Sequence, residues 1–207
     1  MSKRKKSNRK IHTRDLRERI LIVCEGGKTE PNYFRKFPID ENKCYVKPMG
    51  VGYNTYSLVR RAIEIGQTSL LPFDQIWCVF DRDNFPAQNF NNAFEIAEHN
   101  NINIAYSNEA FELWYLLHFH RYINAMSRDQ YQEKLTELLG HKYVKNSENI
   151  YDELIDRQPI AIENAKALLI LHSENSDSGR NDPAKDNPST TVHKLVEELN
   201  KRLLRHK

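Results

Sequence analysis

The chain has 207 residues, of which 39% are hydrophobic and 29% charged, and its formal net charge is +3. This composition supplies enough apolar side chains for one domain with a small helical extension, and it excludes global disorder. No apolar run approaches the roughly 20 residues that span a bilayer, and no apolar segment follows the basic start, so neither a membrane protein nor a secretory signal is predicted. Three cysteines are too few for a disulfide framework or a zinc site, and we expect a cytoplasmic protein.

The first predicted element is a flexible basic arm over residues 1–18. Residues 1–20 carry a net charge of +7, and the remaining residues carry a net charge of −4. Such an arm is typical of segments that bind nucleic-acid phosphates, although a solubilising tail has the same composition. The candidate phosphate-binding residues are Lys3, Arg4, Lys5, Lys6, Arg9 and Lys10.

Strands and helices are predicted to alternate up to about residue 124. Apolar runs predict strands at residues 19–24, 43–51, 75–80 and 103–107. Helices are predicted from Thr29-Glu30-Pro31 onward and over residues 56–71, 90–99 and 111–122, the last rich in aromatic side chains that we expect in the core. This alternation indicates an α/β core over residues 19–124, with a mostly parallel sheet flanked by helices.

The rest of the chain, residues 125–207, is predicted to be a helical region that packs on this core. Helical patterns cover residues 129–139, 148–155, 160–173 and 190–204, and a polar loop covers residues 174–188. Ser189 and Thr190 are expected to cap the last helix.

Acidic side chains follow two of the predicted strands. Glu25 comes directly after residues 19–24, and Asp81 and Asp83 follow residues 75–80. The carboxyl ends of parallel strands meet at one edge of a sheet, and alternate residues leaving a strand point the same way, so these carboxylates should lie together. Carboxylate oxygens suit Mg²⁺ or Mn²⁺, although each acidic residue alone could be a turn former or a helix cap.

Two other motifs overlap these segments. Gly26-Gly27-Lys28-Thr29 resembles the end of a phosphate-binding loop, but that motif needs a glycine where Ile22 stands, so an NTPase loop is excluded. A strand followed by Asp-x-Asp also fits phosphatases of the haloacid-dehalogenase type. Those enzymes have a small hydroxyl or aliphatic residue at the position of Phe85. Their motif also lies near the start of the chain, whereas Asp81 lies deep inside this one.

Four segments together carry a family resemblance. They are CEGGKTEPNYF (24–34), VFDRDNF (79–85), SNEAFELWYLLHF (107–119) and NPSTTVHKLVEEL (187–199), and they resemble the RloB-like family of bacterial anti-phage and abortive-infection proteins. The resemblance implies a Toprim-like, Rossmann-like fold and Mg²⁺-dependent cleavage of phosphodiester bonds in RNA such as tRNA. It also implies a role in phage defence beside an ATPase or restriction-system partner.

The resemblance and the spacing together suggest roles for the acidic residues. Asp81 and Asp83 would hold the metal, and Glu25 would be a further ligand or a general acid and base whose pKa its acidic neighbours raise. Either Glu109 or Glu112 would face the site, and Glu112 matches the family segment.

Three further residues near these segments are weaker candidates. Lys28 could bind a substrate phosphate, Glu30 could reach a metal-bound water or cap a helix, and His118 is either a site residue or a core histidine. The alternative for Lys28 and Glu30 is a solvated position in the first turn of a helix, without a role at the site. A non-catalytic protein that binds nucleic acid or regulates a partner is the alternative to a nuclease.

Overall fold

Five strands form one sheet in the computed structural model, which describes residues 17–83 and 86–204. The six predicted phosphate-binding residues of the arm lie outside the described part of the chain. The strands are β1 (Glu18–Cys24), β2 (Cys44–Gly50), β3 (Gln75–Asp81), β4 (Asn103–Asn108) and β5 (Ser189–Thr190). They lie in the order β2-β1-β3-β4-β5, and only β5 runs antiparallel to its neighbour. The predicted α/β fold with a mostly parallel sheet is confirmed.

Eight α-helices surround this sheet in the described residues. They are α1 (Thr29–Arg35), α2 (Thr55–Thr68), α3 (Ala87–His99), α4 (Glu112–Leu116), α5 (Arg128–Leu139), α6 (Ile150–Leu154), α7 (Gln158–Glu174) and α8 (Val192–Asn200). No helix in the described ranges has the length and apolar character that crossing a membrane requires.

The two faces of the sheet bury different sets of helices. Alternate residues of β1 point to opposite faces, so Ile20 and Ile22 join one hydrophobic cluster and Leu21 and Val23 join the other. The first cluster includes α1, α4, α7 and α8, and the second includes α2 and α3. Because β1 is buried on both faces, its sequence is a continuous apolar run rather than an alternating one.

The predicted aromatic helix over residues 111–122 is too long. Helix α4 ends at Leu116. After it the hydrogen bonds span three residues instead of four, as from the Phe119 N–H to the Leu116 carbonyl. The Asn164 side chain of α7 donates to the Leu117 carbonyl at 2.8 Å, so that oxygen is bonded from outside the helix. The expected core position of the aromatic side chains is confirmed for Phe111, Trp114 and Tyr115, each buried to 1% exposure or less.

The last helix begins at Val192 rather than at residue 190. Ser189 and Thr190 pair with Asn108 and Ser107 of β4, which makes them a strand. The Thr190 hydroxyl still accepts from the Val192 N–H at 3.2 Å, whereas the Ser189 hydroxyl donates to the Asp186 carbonyl. The N-cap position is Thr191, which makes no side-chain hydrogen bond to the helix, so Thr190 bonds the first helical N–H from one residue before the cap.

Both edges of the sheet have unusual strands. On one edge, β2 carries Pro48 opposite Ile22 of β1, next to the exposed Lys47. On the other edge, β5 has only two residues.

Candidate active site

A polar cleft of about 350 Å³ opens at the carboxyl edge of the sheet, between the ends of β1 and β3 and the helices α1, α4 and α5. It brings together five of the carboxylates considered above: Glu25, Glu30, Asp81, Asp83 and Glu112. The rest of its lining is Gly26, Gly27, Thr29, Phe111, Arg128, Lys145 and Asn146. Five acidic side chains at one cleft require cations or protons to offset their mutual repulsion.

The backbone of Glu25 is fixed by both neighbouring strands. Its N–H donates to the Val79 carbonyl of β3 at 2.9 Å, and its carbonyl accepts from the Gly52 N–H, beyond β2, at 3.1 Å. The Asp81 N–H donates to Glu25 Oε2 at 3.3 Å. Glu25 is therefore held against the end of β3 by its side chain as well as by its backbone.

Asp81 and Asp83 are joined by one cation. The Arg128 Nη2 atom lies 3.3 Å from Asp81 Oδ2 and also contacts Asp83 Oδ1. One guanidinium nitrogen reaches both carboxylates, so the two side chains lie on the same side of the chain, as the Asp-x-Asp spacing predicts. Asp83 has a φ of 42°, a left-handed conformation that non-glycine residues seldom adopt.

Glu30 and Glu112 form the deeper part of the cleft. Both are buried, at 5% and 4% exposure. Glu112 Oε1 accepts from the Tyr143 hydroxyl at 3.3 Å, whereas Glu30 Oε2 has no hydrogen-bond partner among the described residues. A Cβ atom at Gly26 would lie 2.3 Å from Glu30 Oε2, so the glycine leaves the space that this carboxylate fills.

Burial raises the pKa of three of these carboxyl groups. It raises the pKa of Glu25 to about 7, although the Asp81 N–H favours the ionised form, and the charges of Asp83 and Glu30 add to the increase. Burial, followed by the charge of Glu30, raises the pKa of Asp81 well above its usual value. The pKa of Glu30 is raised by burial and then by the charge of Glu112. The cleft has too little positive charge for all its carboxyl groups to ionise readily.

The donor types in the cleft suit a divalent cation, although their present arrangement in the described part of the chain does not form a binding site. All five carboxylates offer the oxygen ligands that Mg²⁺ and Mn²⁺ prefer, and Asp81 Oδ1, like Glu30 Oε2, is buried without a partner among the described residues. No group of three or more His, Cys, Asp or Glu side chains within residues 17–83 and 86–204 is arranged to hold a metal ion. Because Arg128 contacts the two aspartates that would be ligands, a cation would have to displace it from them.

The other candidates lie outside the lining of the cleft. Lys28 is exposed at the start of α1, and Glu109 is half-buried. His118 is fully buried in the core, where its Nδ1 lies 2.9 Å from the Trp114 carbonyl oxygen, and burial lowers its pKa to about 4. These properties are those of a core histidine. Of the two glutamates that the sequence left open, it is Glu112 that lines the cleft.

Sequence reasoning missed the two cationic residues of the cleft, Arg128 and Lys145. Arg128 is the first residue of α5, directly after Ser127, whose hydroxyl caps that helix by accepting from the Gln130 N–H. Lys145 is brought to the cleft by its neighbour Asn146, which accepts hydrogen bonds from Thr29 Oγ1 and Asn32 Nδ2 of α1. Neither cation belongs to a local motif, and the capping box at Ser127 predicts only the start of a helix.

The raised pKa of Glu25 predicts how the stability of the metal-free protein depends on pH. Between about pH 4.5 and 7 the folded protein holds a proton on Glu25 that the unfolded chain has released, so the free energy of unfolding should fall as pH rises. Because the carboxyl is partly exposed to solvent, we expect a loss of about 2 kcal/mol across this range. Urea denaturation in EDTA at several pH values measures it.

The matched variant for this experiment is Glu25→Gln, which cannot titrate. It should show a shallower fall, and the remaining slope belongs to Asp81 and Glu30, whose pKa values are also raised. An equal slope in the wild type and in Glu25→Gln would contradict the assignment.

Comparison with protein families gives one match. The family profile described as RloB-like protein matches residues 20–199. The match includes β1 to β5 almost completely and every residue that lines the cleft. Comparisons with curated proteins and with solved structures found no match.

Proposed function

This chain belongs to the RloB-like family, and from that membership and its carboxylate cleft we propose that it is a metal-dependent nuclease of the Toprim type. The substrate we propose is RNA, such as tRNA, and the setting is bacterial defence against phage, in the cytoplasm and beside an ATPase or restriction-system partner. The observation that carries the proposal is the convergence of Glu25, Asp81 and Asp83 at the carboxyl edge of the sheet.

The residues of the cleft suggest a division of labour. Asp81 and Asp83 would hold Mg²⁺, Glu25 would be either a further ligand or the general base, and Glu30 and Glu112 would complete the acidic wall behind them. The bound ion supplies Lewis-acid stabilisation of the charge that develops on the phosphate. In the metal-free cleft burial raises the pKa of Glu25 to about 7. A carboxylate with such a pKa that is not itself a metal ligand would suit the acceptance of a proton from an attacking water.

The two cationic side chains at the cleft would suit the phosphate groups of the substrate. Arg128 bonds both aspartates, and on release from them its guanidinium would have a phosphate oxygen as its alternative anionic partner. Lys145 is exposed and lines the same cleft, so it offers a second positive charge to the substrate. Binding of metal and binding of substrate would thus both move Arg128 away from Asp81 and Asp83.

The test is a cleavage assay on the purified chain. We expect Mg²⁺ or Mn²⁺ to support cleavage of a tRNA mixture more than of duplex DNA, and EDTA to abolish it. Nucleic-acid binding without any turnover in either metal would instead favour the non-catalytic alternative.

The role of Arg128 predicts opposite effects on metal binding and on catalysis. In Arg128→Gln, Mn²⁺ should bind at least as tightly as in the wild type, because the cation that competes for Asp81 and Asp83 is gone. Cleavage should fall about tenfold, because a charged donor to the phosphate is lost. Mn²⁺ titration by electron paramagnetic resonance and single-turnover cleavage measure the two effects.

Arg121→Gln is the matched control, because Arg121 is exposed and does not line the cleft. It should leave both quantities unchanged. Weaker Mn²⁺ binding in Arg128→Gln would show that Arg128 supports the metal site rather than competing with it.

A further inference from the structure

A second polar cavity lies at the beginnings of α2 and α3, the two helices on the opposite face of the sheet from α1 and α4. Its volume is about 250 Å³, and its lining consists of Asn54, Thr55, Tyr56, Ser57, Asn89 and Asn92. All six carry uncharged hydrogen-bonding groups, in contrast to the acidic lining of the carboxylate cleft. A cavity of this size and chemistry suits a small polar group.

The first turn of α2 presents uncapped N–H groups at this cavity. Helix α2 has 14 residues, its N-cap residue Asn54 makes no side-chain hydrogen bond to it, and its first turn contains no acidic side chain. The N–H groups of Thr55, Tyr56 and Ser57 therefore have no intrahelical partner and no side-chain cap. Uncapped N–H groups and the helix dipole together favour an anion.

Thr55 supplies an independent sign of a missing ligand. The residue is only 2% exposed, and its hydroxyl has no hydrogen-bond partner among the described residues. Leaving a buried hydroxyl unpaired costs free energy. Thr55 lines the cavity, so a ligand oxygen bound there would be a nearby partner once the hydroxyl turns toward it.

The asparagines add side-chain donors to the cavity. Asn89 lies in the first turn of α3, which also has no side-chain cap and no acidic residue. Asn92 Oδ1 already accepts from Gln88 Nε2 at 2.7 Å, which leaves its Nδ2 as the donor for a ligand. Donors from two helices around one space fit a group with several acceptor oxygens, and phosphate is such a group.

Two features point to a nucleic-acid strand as the source of the phosphate. Tyr53 and Tyr56 beside the cavity are exposed, at 48% and 37%, and exposed aromatic rings stack on unpaired bases. The Gly52 N–H donates to the Glu25 carbonyl, and Thr55 is only three positions after Gly52, a chain length of at most about 11 Å. The cavity and the carboxylate cleft therefore lie at the same edge of the sheet.

We propose that this cavity binds a backbone phosphate in an unpaired stretch of the RNA whose cleavage is proposed for the carboxylate cleft. The inference deepens the proposed function and rests on it for the identity of the substrate. The phosphate bound here would be a few nucleotides from the one that is cleaved. The cavity would thus fix the register of the strand without taking part in the chemistry.

The first arm of the test uses inorganic phosphate and EDTA-treated protein, so that neither metal nor catalysis contributes. We expect saturable changes in the amide NMR signals of Thr55, Tyr56 and Ser57 as phosphate is added. Thr55→Val removes the hydroxyl at nearly constant volume and should weaken binding about fivefold. Asn54→Asp replaces an amide with a carboxylate of nearly the same size, and the added negative charge beside the uncapped N–H groups should weaken phosphate binding about tenfold or more.

Thr68→Val is the control, because Thr68 lies at the far end of α2 and its hydroxyl donates only to the Glu64 carbonyl. It should bind phosphate as the wild type does. Absence of saturable changes at residues 54–57, or equal phosphate affinity in all four proteins, would overturn the proposal.

The second arm uses a short single-stranded oligoribonucleotide under the same metal-free conditions, followed by fluorescence anisotropy. Thr55→Val and Asn54→Asp should weaken its binding in parallel with that of phosphate, and Thr68→Val should not. Phosphate binding that is sensitive to the variants, with oligonucleotide binding that is not, would overturn the assignment to a strand. The cleavage assay fails or succeeds independently, so a failure of the proposed function is distinguishable from a failure of this inference.

Discussion

Asp81→Asn should abolish metal-dependent cleavage while making the metal-free protein more stable. Loss of a charged metal ligand should lower the rate by about 10³-fold or more. Asp81 is also a carboxyl whose Oδ1 is buried without a partner among the described residues and whose pKa burial raises well above its usual value. An uncharged amide at this position avoids the free-energy cost of burying an ionised carboxylate. We expect the free energy of unfolding to rise by about 1 to 2 kcal/mol.

The two effects are measured on the same preparations, with a cleavage assay in Mg²⁺ and urea denaturation in EDTA at pH 7.5. Asp152→Asn is the matched control, because Asp152 is exposed and pairs only with Lys36 at the surface. It should change the unfolding free energy by less than about 1 kcal/mol and leave cleavage intact. If Asp81→Asn lost activity and stability together, Asp81 would be a structural residue rather than a ligand.

Gly50→Ala should displace the loop that carries Glu25. Gly50 ends β2, and a Cβ atom there would lie 2.3 Å from the Gly26 carbonyl oxygen and 2.6 Å from the Gly27 Cα. Both contacts are with backbone, so no side chain can turn away and the loop itself has to move. We expect a loss of about 1 to 3 kcal/mol in stability and about 10²-fold in cleavage, since Glu25 would leave its place beside Asp81.

Gly27→Ala is the control for this substitution, because a Cβ atom there would meet nothing within 4 Å. It lies in the same loop and adds the same methyl group, so it should keep wild-type stability. Because Gly27 lines the cleft, this variant is a control for stability and for the position of the loop rather than for activity. Thermal unfolding compares the two variants directly, and single-turnover cleavage measures the loss in Gly50→Ala. Equal stability of Gly50→Ala and Gly27→Ala would refute the argument that close packing at Gly50 positions Glu25.

The parts of the fold that sequence patterns predict are those with a strong local signal. The buried strands β1 and β3 are continuous apolar runs, and each ends where its acidic residues begin. Strand β5 has only two residues and pairs with β4, which is more than 80 residues away in the chain. Its existence depends on tertiary contacts, so helix periodicity extended the last helix over it. The predicted helix over residues 111–122 ran past the end of α4 for a similar reason. The Leu117 carbonyl bonds to Asn164, which is far away in the sequence.

The carboxylates of the site were easier to predict than its cations. Glu25, Asp81 and Asp83 follow strands, and the topology of a parallel sheet brings such positions together whatever the rest of the fold is. Arg128 and Lys145 reach the cleft because α5 and the segment that contains Asn146 pack there. Nothing about an arginine at the start of a helix or a lysine in a polar segment distinguishes it from other surface cations.

The two edges of the sheet bear on how the chain avoids aggregation. Edge strands are templates for pairing with another chain, and proteins block them with proline, with lysine or with very short strands. Pro48 and the exposed Lys47 interrupt one edge, and the two residues of β5 cover the end of β4 at the other. Both edges of the folded sheet are therefore poor templates for strand addition by a second molecule.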